Sequence, residues 1–202
     1  MRGLYAIIDP EVCRDAPLAV AEAVLRGGCA ALQLRAKCLT DAEYLELGRE
    51  IVSLCRTAGV PFFANDRVDL VVELGADGVH VGQTDLPIEE VRAALGARMM
   101  IGVSTHSVEQ AKDAERRGAQ MIGFGPVFAT TSKLDHDPVV GLEGLRVVCG
   151  AVRIPVIAIG GITLGNVSDV CVVGAQLAAV ISAVCRAEDP EGAARTLHGA
   201  WA

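Results

Sequence analysis

The sequence predicts an α/β fold, a (β/α)8 barrel of the TIM type, folded as one compact domain over residues 1–202. Three observations predict it. Short β-branched or apolar runs alternate with longer amphipathic stretches along the whole chain. Glycine closes several of those stretches just before the next apolar run, at Gly27-Gly28, Gly59, Gly118 and Gly174. No linker, low-complexity tract or charge block interrupts the alternation, and eight such units in 202 residues sit at the compact end of barrel sizes.

The strands are read at Leu4–Ile8, Ala31–Leu34, Pro61–Ala64, Gly78–Val81, Met99–Val103, Met121–Gly125, Val156–Ile159 and Ala178–Ile181. The helices that follow them are read at Pro17–Arg26, Asp41–Ala58, Arg67–Leu74, Ile88–Leu95, Val108–Arg117, Leu142–Cys149, Leu164–Val173 and Pro190–Trp201. Start signals support several of these. Thr40-x-x-Glu43 and Ser107-x-x-Gln110 have capping-box spacing, and Asp189-Pro190 is an N-cap followed by proline at the first helical position. An open doubly wound sheet is the rival architecture. It calls for a G-x-G-x-x-G turn after the first strand, and Ile8-Asp9-Pro10-Glu11 is not one.

With 51% hydrophobic residues, the chain has enough apolar side chain for a large core. Its formal charge of -7 argues against a general nucleic-acid or anionic-membrane surface, since those partners select an excess of Lys and Arg. Cys13, Cys29, Cys38, Cys55, Cys149, Cys171 and Cys185 are scattered, with no C-x-x-C pair and no zinc-finger spacing. They read as reduced thiols of a cytoplasmic protein. The opening MRGLYAIIDPE lacks a long apolar segment, and no apolar run has the length of a membrane span.

In a barrel of this kind the site lies at the C-terminal ends of the strands and in the loops after them. Gln33, Arg35 and Lys37 follow the second strand, and Asn65, Asp66 and Arg67 the third. The fourth leads to Asp85; the fifth ends in Ser104 and His106; the sixth leads to Thr130, Thr131, Ser132 and Lys133. The seventh ends at Gly160-Gly161 and the eighth at Ile181-Ser182. Arg35, Lys37 and Lys133 would gather positive charge at one mouth of an acidic chain, which suits a bound anion. Asp66 and Asp85 would set two hard carboxylates beside it, a pattern that suits Mg2+ shared with phosphate. Together they suggest pyrophosphate. The glycine pair and the Ile181-Ser182 step stand where barrels often hold a monophosphate.

Each feature has a plainer reading. The Lys and Arg residues suit solvated surface, Asp66 suits an N-cap for a helix starting near Arg67, and the hydroxyl run and the glycine pair suit ordinary loops. His80, inside a strand, reads as a barrel-interior histidine, and His106 and His136 carry weaker signals still. What raises the functional reading is that separate loops place phosphate-binding groups at the same end.

"LQLRAK", "NDRVDL", "GADGVHVGQTDLP", "IGVSTHS", "IGFGPVFATTSK", "GLEGL", "IPVIAIGGIT" and "VISAV" occur in this order from Leu4 to about Pro190. The set resembles the thiamine phosphate synthase (thiamine-phosphate pyrophosphorylase) family. The resemblance implies transfer of a hydroxymethylpyrimidine group from its diphosphate to the ring nitrogen of thiazole phosphate, yielding thiamine phosphate and pyrophosphate. It implies a pyrimidine-diphosphate site of Gln33, Leu34, Arg35, Ala36, Lys37, Asn65, Ser104 and Lys133, with catalytic roles for Lys133, Arg35, Lys37 and Ser104. It implies a thiazole-phosphate site of Thr130, Thr131, Ser132, Gly161, Ile181 and Ser182, and Mg2+ held by Asp66 and Asp85. A homo-oligomer is compatible with it.

This chain departs from the family pattern in three places. Ala36 stands where many relatives are acidic, Ala129 replaces a common proline, and "GAQLAAVIS" replaces "GADGVAVIS". None removes an implied ligand. A related thiazole tautomerase resembles the chain too, but that group has a catalytic histidine at the position of Pro126 and lacks the aspartate at Asp85. A non-catalytic thiazole-phosphate-binding paralogue is the third reading; loss of Asp66, Asp85 or Lys133 would favour it, and all three are present.

Overall fold

A closed ring of parallel strands, each followed by helix, carries the chain from end to end. The computed structural model describes residues 1–130 and 138–202. The strands are β1 (Gly3–Ile8), β2 (Ala31–Leu34), β3 (Phe62–Asn65), β4 (Gly78–Val81), β5 (Met100–Thr105), β6 (Met121–Phe124), β7 (Val156–Ala158) and β8 (Leu177–Val180). They pair in chain order, and β8 closes on β1 through Leu4 beside Ala178 and Tyr5 beside Ala179. The helices are α1 (Pro17–Gly27), α2 (Asp41–Ala58), α3 (Val71–Leu74), α4 (Ile88–Leu95), α5 (Val108–Arg116), α6 (Gly141–Ala151), α7 (Val167–Val173), α8 (Ser182–Cys185) and α9 (Pro190–Gly199). The (β/α)8 barrel expected from the alternation is therefore the observed fold.

The strands read as continuous apolar runs because both of their faces are covered. One apolar cluster lies between sheet and helices; a second, with Tyr5, Phe63, Met121, Ile157 and Leu177, fills the barrel. Glycines in the strands make room for the large interior rings. A Cβ on Gly102 would lie 2.5 Å from the His80 ring, and one on Gly123 would lie 3.3 Å from it. One face of His80 therefore rests against backbone that only glycine leaves open. No helix among the described residues is long and apolar enough to cross a membrane.

Several boundaries differ from expectation for local reasons. Helix α3 is one turn beginning at Val71, since Asp66 has a φ of 61° and Val68 N bonds back to Asp66 O at 2.9 Å. That turn spends the residues from Arg67 onward, so Asp66 does not cap a helix. Helix α7 begins at Val167, after a turn in which Asn166 Oδ1 accepts from Thr163 N at 2.8 Å. Ile181 is the residue before a short helix α8 rather than the end of β8, its carbonyl accepting from Val184 N and Cys185 N. The reciprocal cap holds at Thr40 and Glu43. At Ser107 only half of it forms, because Gln110 Oε1 accepts instead from His106 N at 2.7 Å. Asp189 caps α9 through Gly192 N, as its sequence suggests.

Candidate active site

The parallel register sets which strand ends meet. Ile8 pairs with Leu34, so the next residues along, Asp9 and Arg35, emerge side by side at the mouth. Arg35 N donates to Ile8 O at 2.9 Å, and the Arg35 guanidinium forms an ion pair with Asp9 through Nη1. The Asp9 side chain is 1% exposed and that of Arg35 15%, so the pair is largely removed from water. Gln33 points into the barrel, where its amide donates to Tyr5 Oη at 2.9 Å. Burial pushes the Tyr5 phenol above its usual range, against the opposing effect of the Gln33 hydrogen bond, so Tyr5 stays a neutral partner. Leu34 is buried, and its carbonyl accepts from Tyr44 Oη at 3.2 Å. Leu34 O and Arg35 N are therefore engaged within the fold.

The third and fourth strands bring the carboxylates. Asn65 pairs with His80 in the ladder, and Asn65 Nδ2 donates to Asp66 Oδ1 at 2.6 Å and to His80 O at 3.2 Å. Asp66 N also donates to His80 O, at 2.9 Å, which holds Asp66 in the left-handed region despite its side chain. Lys37 Nζ lies 3.4 Å from Asp66 Oδ2. Asp85 Oδ2 accepts from Gly82 N at 2.6 Å and is close enough to Asp66 to act on its charge. Burial first, and then Asp85, push the Asp66 carboxyl above its ordinary range, while Lys37 opposes the shift. Lys37, Asn65, Asp66 and Arg67 border a cleft of about 230 Å³ together with Ala36 and Leu39. Arg67 is engaged elsewhere: it binds Asp41 and Asp69 and stacks 5.3 Å over the Tyr44 ring.

The fifth strand adds Ser104, whose Oγ is 3.1 Å from His80 Nε2 and whose carbonyl accepts from Gln83 Nε2 at 2.6 Å. His106 Nδ1 lies 2.7 Å from Gly125 O. Beyond β6 the chain keeps pairing with the exit of β7, through Val127 N to Ile159 O at 2.8 Å and Phe128 N to Gly160 O at 3.1 Å. That pairing carries Ala129 alongside Gly161. Gly161 has a φ of 66°, and a Cβ there would meet the Ala129 carbonyl oxygen and stand 2.7 Å from Phe128 Cβ. Ser182 opens α8 at the end of the neighbouring strand. Thr131, Ser132 and Lys133, with His136, lie outside the described residues.

Asp9 is the residue the list of strand ends overlooked, since that list began at the second strand. The available signal was an Asp directly after "YAII", at the C-terminal end of a barrel strand.

The thiamine monophosphate synthase family matches residues 4–184 of this chain. The chain belongs to the thiamine monophosphate synthase family. It is similar to the thiamine-phosphate synthase of Roseiflexus sp. (strain RS-1), 45% identical over 96% of this chain and 83% of that one. Against the Moorella thermoacetica thiamine-phosphate synthase the identity is 44%, over 96% and 93%. The solved structure of thiamine phosphate pyrophosphorylase from Pyrococcus furiosus superposes with a TM-score of 0.91 at 38% identity, covering 98% of this chain and 94% of that one. A 3-hexulose-6-phosphate synthase, 20% identical with a TM-score of 0.70, shares the fold alone. Resemblance at the level of motifs and membership in the thiamine monophosphate synthase family thus agree over nearly the whole chain.

Proposed function

We propose that this chain joins hydroxymethylpyrimidine diphosphate to thiazole phosphate, forming thiamine phosphate and pyrophosphate, as a single catalytic domain over residues 1–202. The observation that carries the reading is the gathering of Arg35, Lys37, Asp66 and Asp85 at one barrel mouth in a member of this family. In the reaction, the bond between the pyrimidine methylene carbon and the diphosphate oxygen breaks and its electron pair leaves with pyrophosphate. The thiazole nitrogen then supplies the pair for the new carbon–nitrogen bond. Such chemistry asks little of acids and bases. It asks for charge stabilisation at the leaving group and close placement of two rings.

Arg35 and Lys37 are the described cations for the diphosphate, and Lys133 joins them in this proposal. Gln33, held from inside the barrel by Tyr5, faces the pyrimidine; Ser104 and Asn65, each tied to His80, complete the same side. The backbone around Leu34 and Ala36 is assigned to the same segment, beside buried side chains. Asp66 and Asp85 fit Mg2+: they are hard oxygen donors, near enough to repel, and a divalent cation would relieve that repulsion. A metal held by these two carboxylates would complete its shell with water and substrate oxygens. When bound, Mg2+ supplies positive charge to the departing diphosphate. Thr130, Thr131, Ser132, Gly161, Ile181 and Ser182 are assigned to the thiazole phosphate. A cytoplasmic setting and a homo-oligomer belong to the same reading.

Purified protein given both substrates and Mg2+ is expected to release pyrophosphate and thiamine phosphate in equal amounts. Binding of thiazole phosphate without any product would favour a non-catalytic paralogue instead. At the second phosphate site, Gly161→Ala combines a left-handed φ with a collision against Phe128 and the Ala129 carbonyl. It is expected to destabilise the protein by about 1–3 kcal/mol in denaturant unfolding. It should also raise KM for thiazole phosphate more than KM for the diphosphate; the reverse order would contradict the placement of the site.

A further inference from the structure

We propose that Asp9 is a positioning residue for the diphosphate, acting through Arg35; the inference rests on the functional reading above. Asp9 is held by its own turn. Its Oδ1 accepts from Glu11 N at 3.1 Å, and its carbonyl accepts from Val12 N at 2.9 Å and Cys13 N at 3.0 Å. The carboxylate that meets Arg35 Nη1 therefore projects from a fixed base, buried at the mouth of the barrel.

A guanidinium has five N–H donors in a rigid fork. Asp9 engages it at Nη1, while Nε is buried with no hydrogen-bond partner among the described residues. Asp9 thus holds the fork from one side before a ligand arrives, and the Arg35 side chain, 15% exposed, keeps some surface through which an anion can meet its remaining N–H groups. The physical gain is pre-organisation: a free arginine side chain samples many rotamers, and Asp9 removes much of that freedom before the ligand binds.

Among the described residues, Asp9 is the carboxylate that pairs with Arg35. Lys37, the neighbouring cation, is paired to Asp66 and its side chain is 61% exposed. A simple staple between β1 and β2 would also explain an ion pair here, because it joins adjacent strand ends. The two roles differ in what they predict for ligand binding. A staple lowers stability when cut and affects both substrates alike; a positioning residue affects the diphosphate and does so only while Arg35 is present.

The test is a double-mutant cycle of Asp9→Ala, Arg35→Ala and the pair, read by calorimetric binding of inorganic pyrophosphate with Mg2+ and by KM for each substrate. Asp9→Ala is expected to weaken pyrophosphate about tenfold, with KM for thiazole phosphate changed by less than about twofold. In the Arg35→Ala background the same change should have less than about a twofold effect. Asp9→Glu is the companion variant, because it keeps the charge pair and moves the carboxylate by one methylene. It too should weaken pyrophosphate, and it serves if Asp9→Ala does not fold. Unchanged pyrophosphate affinity in Asp9→Glu, or equal losses with and without Arg35, would overturn the inference and leave the reaction assignment standing. Wild-type protein that binds no pyrophosphate and makes no product would remove both.

Discussion

Asp85→Ala is expected to lower Mg2+-dependent kcat/KM on the order of 10²–10³-fold while the fold survives. Asp85 is exposed and accepts from Gly82 N in a short turn, so little stability depends on it. Its chemical importance lies in its nearness to Asp66, whose carboxyl is pushed up by burial and by Asp85 itself. Two such groups side by side raise each other's energy unless a cation sits between them. Adding a chelator should bring the wild type down to the level of Asp85→Ala and change the variant little. Asp66 offers a sharper comparison, because its φ of 61° favours Gly, Asn and Asp over other residues. Asp66→Asn should lose turnover with a nearly unchanged Tm, whereas Asp66→Val should also lose about 1–2 kcal/mol of stability. Normal turnover in Asp85→Ala would end the metal assignment.

Arg35→Ala is the second large effect, and it has two parts. Removing the guanidinium takes away a cation from the leaving group, for an expected loss on the order of 10²–10³ in kcat. It also leaves Asp9 buried without its partner. Breaking a buried pair from one side typically costs about 3–5 kcal/mol, much more than the pair itself contributes. Denaturant unfolding should therefore show a clear drop for Arg35→Ala. The double change Arg35→Met with Asp9→Leu should recover much of it, since an apolar pair of similar volume removes the stranded charge. It should recover none of the activity. Arg35→Lys is expected to fall between, keeping the charge and losing the fork. An Arg35→Ala protein with an unaltered KM for the diphosphate would refute the role given to this residue.

What was legible in the sequence follows the range of the interactions involved. The strands and helices come from local patterns, and the cap at Thr40 and the proline start at Pro190 are local as well. The departures occur where a short-range bond beat the pattern. Asn166 turned the chain after β7, the left-handed Asp66 turned it after β3, and α8 formed without a capping side chain to announce it. At the site, the residue types at the strand ends were readable once the barrel was assumed. Their pairings were not. Arg35 and Lys37 looked like two cations awaiting an anion, and each in fact has a carboxylate partner.

The sequence by itself determined the alternation of strand and helix, the closed parallel barrel it implies, the family, and which side chains arrive at the C-terminal ends of the strands. These depend on hydrophobic period, turn residues and motif order, all of which act over short spans. Only the tertiary structure decided that Asp9 grips Arg35, that Lys37 turns to Asp66, and that His80 reaches Ser104 across 24 positions. Those contacts join residues far apart in the chain, and their partners are selected by strand register and barrel closure. A one-residue slip in that register would send each side chain to the other face of the sheet and dissolve the site.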